Sequence, residues 1–191
     1  MVFTETKLPG VFTIDLEPRR DERGFFARQW CAEEFARAGL DTRIAQINTA
    51  HSLAAGTLRG MHYQVAPHNE SKFVRCTRGA VYDVAIDLRS ASPTFCDWFA
   101  VELTGENGRM IYIPEGCAHG YLTLCPDTDL AYQASVPYAP ECARGVRYDD
   151  AAFGIRWPAP IEVMSHQDAH WPAFDACGAR CGARCGAARE P

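Results

Sequence analysis

Residues 81–88 read VYDVAIDL, and this stretch decides how the rest of the chain is read. Tyr82, Val84, Ile86 and Leu88 fall on one side and Asp83 and Asp87 on the other. That is the period of two expected of a half-buried antiparallel strand with its acidic face in water. Similar short apolar runs recur at 11–16, 25–30, 43–48, 57–64, 95–103, 110–113, 120–124 and 130–135. Turn formers separate many of them: RGA at 78–80, SASP at 90–93, TGENG at 104–108, PEG at 114–116 and CPDT at 125–128. One helix is expected over 31–38, with Glu33 and Glu34 early and Gly39 as its stop. Many short strands closely spaced within one domain predict an all-β fold, a double-sheet jelly roll with a few short helices, rather than a parallel sheet.

The chain has 191 residues, 47% of them hydrophobic and 23% charged, which is ordinary for a single globular domain. A net charge of -5 argues against nucleic acid as a partner. No apolar run approaches the roughly 20 residues of a membrane-spanning helix. The opening MVFTETKLPG lacks the basic and apolar blocks of an export signal. A cytoplasmic protein with no membrane partner is expected. The nine cysteines are odd in number and scattered, which favours reduced thiols over a disulfide framework. Cys177, Cys181 and Cys185 lie in the repeat CGARCGARCGAA; even spacing without a fourth ligand reads as low-complexity tail rather than a zinc site. The division expected is a domain over 1–175 and a disordered tail over 176–191.

The chemistry concentrates in GTLRGMHYQVAPHNESK, residues 56–72. His62 is of the one side-chain type that takes and returns protons near neutrality, and Lys72 supplies a fixed positive charge suited to an enolate oxygen. Taken singly, Arg59 and Lys72 also read as solvated strand-end charges and His62 as a core histidine. The rest of the chain shifts that balance: IYIPEGCAHGY at 111–121, TDLAYQAS at 128–135 with Tyr132, and MSHQDAH at 164–170. Together these motifs resemble the dTDP-4-dehydrorhamnose 3,5-epimerase family of deoxysugar biosynthesis, from about Gly10 to Asp168.

The resemblance implies a cupin-type jelly roll, a homodimer, and a nucleotide-diphosphate 4-keto-6-deoxyhexose as substrate, inverted at C3, C5 or both. It makes His62 the base, Asp168 the carboxylate that orients it, Lys72 the holder of the enolate oxygen and Tyr132 the proton donor. Arg23, Phe26, Gln46, Asn48, Arg59 and His119 would bind the nucleotide and sugar. Arg59 and His62 have opposite parity on one strand, so a bulge at Gly60 is needed to bring both to a pocket. Cupins often hold a metal, but Gln64 stands two beyond His62 and only His119 matches the usual ligand set, so neither metal nor other cofactor is expected. Several positions depart from the family pattern: Arg28, Ala143 and Glu70 where glutamate, glutamate and glutamine are usual, Gln167 for lysine, and Cys117 for phenylalanine. The alternatives are a sugar 3,4-ketoisomerase using the same enolate, or a cupin that binds a nucleotide sugar without catalysis.

Overall fold

A computed structural model describes residues 1–175, so the expected tail over 176–191 lies outside the described residues. Strands are numbered along the chain. One six-stranded sheet runs, in spatial order, β1 (Val2–Glu5), β2 (Phe12–Asp15), β10 (Met110–Ile113), β7 (Lys72–Arg78), β12 (Thr128–Ala134) and β5 (Gln46–Ser52). The other runs β13 (Ala143–Gly145), β6 (Thr57–Gln64), β11 (Cys117–Thr123), β8 (Ala80–Asp87) and β9 (Trp98–Thr104), with β14 (Val163–Met164) added in parallel to β6. Every other pairing is antiparallel, and a separate hairpin joins β3 (Arg19–Asp21) to β4 (Gly24–Phe26). The expected jelly roll is therefore the architecture present. Among the described residues no helix is long and apolar enough to cross a membrane.

Alternation decides which residues fill the space between the sheets. Val74, Cys76, Ile111, Ile113 and Leu130 of the first sheet meet Val81, Ala85, Leu103, Cys117 and Tyr121 of the second. Both outer faces are covered too. Helix α1 (Ala32–Arg37) buries Phe35 against Phe73, Tyr112, Ile14 and Met110 on the back of the first sheet, with the Phe35 and Phe73 rings edge to face at 5.2 Å. Its start at Cys31 and its end before Gly39 match the helix expected from the acidic first turn and the glycine stop. The back of the second sheet packs Met61, Val84, Ile86 and Ala118 under Val146, Phe153 and Trp157.

This double covering corrects the reading of residues 81–88. The Tyr82, Val84 and Ile86 face does pack on apolar neighbours, but on the outer side of the sheet. Asp83 and Asp87, expected in water, are fully buried. A strand covered on both faces carries no exposed side, so its polar residues must find partners inside. Asp83 Oδ2 lies 2.9 Å from His119 Nε2. Asp87 Oδ1 accepts from Arg89 Nε at 2.8 Å, and Oδ2 accepts from Ser92 Oγ at 2.5 Å and Thr94 Oγ1 at 2.7 Å.

Burial by itself would raise the Asp87 carboxyl, but these donors outweigh it and hold it at about 2, below its ordinary 3.8. A carboxyl depressed on folding adds stability that is complete above its unfolded value and is lost as pH falls toward the folded one. Asp87→Asn is therefore expected to cost about 2 kcal/mol in urea unfolding at pH 7. The gap from wild type should narrow as pH drops from about 4 toward about 2. An equal gap at pH 7 and pH 2.5 would show that the charge of Asp87 adds nothing.

Candidate active site

Between the two sheets, toward β5, β6 and the C-terminal segment, lie two adjoining cavities of about 520 and 440 Å³. His62, Lys72, Tyr132 and Gln167 line both, so the groups singled out for chemistry sit where the two lobes meet. Arg59, His119, Tyr121 and Asp168 line the first lobe. Gln46, Asn48, Glu70, Tyr138, Arg144 and Trp171 line the second. The two walls differ in origin: His62 and Arg59 belong to β6, whereas Lys72 and Tyr132 belong to β7 and β12 of the facing sheet.

Residues on β6 reach the cleft through an irregularity. His62 pairs with His119 and Arg59 with Tyr121, so the register shifts across the intervening residues. Gly60 stands at the shift with φ +132°, and a Cβ there would lie 2.5 Å from Gly120 Cα and 2.8 Å from the His119 carbonyl oxygen. Only glycine allows this backbone shape and this closeness. Arg59 and His62, separated by parity on a regular strand, both face the first lobe as a result.

His62 is about half exposed, and its Nε2 lies 2.6 Å from Oδ1 of Asp168, whose side chain is 5% exposed. Asp168 belongs to the single turn α2 (His166–Ala169), capped by Ser165 Oγ, which accepts from the Asp168 N–H at 3.0 Å. The Ser165-His166-Gln167-Asp168 spacing is thus a helix-capping signature as well as a family motif. Burial would raise the Asp168 carboxyl, but hydrogen bonds from His62, the Gly60 N–H and Ser165, with the charge of His62, hold it below the usual carboxylate value. Trp171 closes this corner. Its Nε1 donates to Asp168 Oδ1 at 3.4 Å, its ring stands edge-on to His62, and it presses on Gly145, where a Cβ would come within 2.1 Å of the indole.

Lys72 Nζ lies 3.0 Å from Glu70 Oε1 and 3.5 Å from the His62 carbonyl oxygen. Burial, helped by the negative charge of Glu70, pushes the Tyr132 phenol above its ordinary value, with Arg59 opposing, so the phenol carries its proton at neutral pH. Arg59 Nη2 donates to the His51 carbonyl at 2.9 Å. Gln46 accepts from the Tyr138 N–H at 2.6 Å, which leaves its amide hydrogens available.

Two expected residues are not brought to the cleft. Arg23 and Phe26 lie on the β3–β4 hairpin, line neither lobe, and are exposed, Phe26 at 70%. Arg23 instead pairs with Asp21 at 2.6 Å, and Phe26 lies beside Met1, Glu17 and Arg28. No residue of this hairpin, which pairs only with itself, lines either lobe among the described residues. Conversely, Asp83 and Trp171 escaped the sequence reading. An aspartate on an alternating strand reads as solvent-facing, and a lone tryptophan after a one-turn helix belongs to no periodic pattern. The described residues also place His68, Glu141 and Cys142 with ligand atoms within 4.8 Å of one another, but none of the three lines either lobe.

The family model described as dTDP-4-dehydrorhamnose 3,5-epimerase matches residues 5–176. The chain belongs to this family. It is 41% identical to the dTDP-4-dehydrorhamnose 3,5-epimerase of Sinorhizobium fredii over 162 residues, 83% of each chain. The enzyme of the same name from Elizabethkingia anophelis superposes with a TM-score of 0.88 at 34% identity, covering 91% of this chain and 96% of that one. A 3'-monoepimerase from Streptomyces bikiniensis, in complex with dTDP-quinovose, superposes with a TM-score of 0.83 at 35% identity, covering 93% and 89%. This member of the epimerase family is an isomerase with a cupin-type jelly roll.

Because the site hangs on the bulge, Gly60→Ala is expected to destabilise the fold by about 2–5 kcal/mol, from backbone strain and the clash with β11. Denaturant unfolding measures it. A loss below about 0.5 kcal/mol would mean that β6 reaches the cleft by another route.

Proposed function

We propose that this chain inverts a carbon next to the C4 ketone of a nucleotide-diphosphate-linked 4-keto-6-deoxyhexose, at C3, C5 or both, without metal or other cofactor. The observation that carries this reading is the placement of His62 and Tyr132 on opposite sheets with Lys72 between the lobes. A sugar ring lying between them meets an imidazole on one face and a phenol on the other. Inversion needs that arrangement, whereas a module that only binds needs no such pair.

Asp168 accepts a hydrogen bond from Nε2 of His62, which leaves Nδ1 with the lone pair. Nδ1 takes the proton from the acidic carbon, the C–H electrons move into the ring, and the ketone becomes an enolate. The imidazolium formed is stabilised by the buried carboxylate. Lys72 carries the positive charge for the enolate oxygen, and Tyr132 returns a proton to the opposite face. Arg59 and His119 would hold phosphate and sugar oxygens in the first lobe, with Gln46 and Asn48 reading polar groups in the second. Asp83 fixes the His119 ring for that contact.

The working unit in this reading is a homodimer in the cytoplasm. Phe25 at 59% and Phe26 at 70% exposure put two large apolar side chains on the hairpin's surface, the Phe25 ring with only the Arg20 guanidinium over it among the described residues. Arg23 and Phe26 would then complete the nucleotide site of the partner protomer. Mixing His62→Ala subunits with Arg23→Ala/Phe26→Ala subunits is expected to restore activity through hybrid dimers. Mixtures no better than the sum of the two variants would confine each site to one chain.

In deuterated water with dTDP-4-keto-6-deoxyglucose, NMR should locate label at C3, C5 or both. His62→Ala is expected to abolish exchange while nucleotide binding survives; exchange at the wild-type rate would remove His62 from the role of base. Tyr132→Phe should still exchange a proton yet invert more slowly by ~10²–10⁴-fold, the usual worth of a positioned acid. Chelator treatment should leave activity unchanged, and a loss restored by one divalent ion would require a metal.

A further inference from the structure

Glu70 is the sole carboxylate among the residues lining the second lobe, and position 143 on the same lobe carries alanine. Its Oε1 lies 3.0 Å from Lys72 Nζ, with the two side chains only 12% and 11% exposed, so solvent does little to weaken the pair. A lysine has a flexible four-carbon stem and three donors, and reaching a defined point in a cleft requires its ammonium to be tied. Two ties are in place: the Glu70 carboxylate and the His62 carbonyl oxygen at 3.5 Å. A third donor is left for the cleft. Glu70 is itself steadied by Gln64 Nε2, which reaches Oε2 at 3.5 Å while Gln64 Oε1 accepts from the Ala139 N–H at 2.7 Å.

We propose that Glu70 is a positioning residue for the epimerisation: it holds the Lys72 ammonium at the junction of the two lobes, so that the free donor meets the enolate oxygen as charge develops there. The inference rests on the reading of Lys72 given above. A carboxylate so close to the reacting carbon repels the enolate, so its service is geometric. Glutamine, with the same shape and an amide oxygen that accepts from the ammonium, should perform it equally well. Alanine should not.

The test measures kcat and KM by solvent deuterium exchange for wild type, Glu70→Gln, Glu70→Ala, Lys72→Ala and the Glu70→Ala/Lys72→Ala double variant. Glu70→Ala is expected to lower kcat by ~10–100-fold, the scale of a misplaced catalytic group, with KM within about twofold of wild type. Glu70→Gln should keep wild-type kcat or exceed it. In the Lys72→Ala background, loss of Glu70 should have no further effect, because its role runs through the ammonium. If Glu70→Ala does not fold, Glu70→Ser, too short to reach the ammonium, takes its place. Wild-type kcat in Glu70→Ala, an equal loss in Glu70→Gln, or additive losses in the double variant would each overturn the proposal. A wild-type enzyme that exchanges no deuterium would instead refute the epimerase reading and take this inference with it.

Discussion

The contact between His62 and Asp168, 2.6 Å long and joining residues 106 positions apart, is the constraint around which the cleft is arranged. The carboxylate is buried, so it needs donors, and it finds them in the imidazole, the Gly60 N–H and the Trp171 indole. Each donor fixes something else. The imidazole is set against the cleft, the bulged turn of β6 is pinned, and the segment carrying α2 is held beside β6. Removing the carboxylate would leave the imidazole without its orienting partner, while β14 and Trp171 would still hold the segment against the second sheet.

Three pairs of ionisable groups line or flank the cleft. Asp83 meets His119, Glu70 meets Lys72 and Asp168 meets His62, each pair lying at or beside the cleft and each within 3.0 Å. Taking charges out of water is costly, and replacing such pairs by apolar residues of equal volume is often neutral or stabilising. Pairs held in spite of that cost point to function rather than to stability. Asp87 is the contrast. Its partners Arg89, Ser92 and Thr94 lie within seven residues along the chain, it touches neither lobe, and it ties down the loop after β8.

Family membership and fold constrain the reaction class more tightly than the substrate. The relatives compared include both 3,5-epimerases and a 3'-monoepimerase on one jelly roll. A ketone at C4 acidifies both neighbouring carbons, so the same base, acid and cation can serve either. The choice between them would depend on how the ring is held where the two lobes meet. Two of the positions expected to depart from the family pattern, Glu70 and Ala143, line the second lobe.

Much of the architecture was legible in residue order because it depends on local patterns. Alternation placed β6 at 57–64 and β10 at 110–113 with the bounds observed, and the acidic turn ending in glycine marked α1. The candidate site was legible through the family resemblance rather than through any one residue, and His62, Lys72, Tyr132 and Asp168 do line one cavity. What only the tertiary structure decided was which face of each strand is inside and which residues meet. Alternation cannot distinguish a strand exposed on one face from one covered on both, so Asp83 and Asp87 read as surface until residues 146–157 were seen packed over the opposite side. Likewise, Trp171 meets His62 and Gly145 only through the docking of the segment that carries α2, and Arg23 and Phe26 are held away by a hairpin that pairs with itself. Sequence alone carries the period of a strand and the chemistry of a side chain; direction and partner are set by packing, where burial obliges each polar group to find a donor or acceptor whether near or distant in the chain.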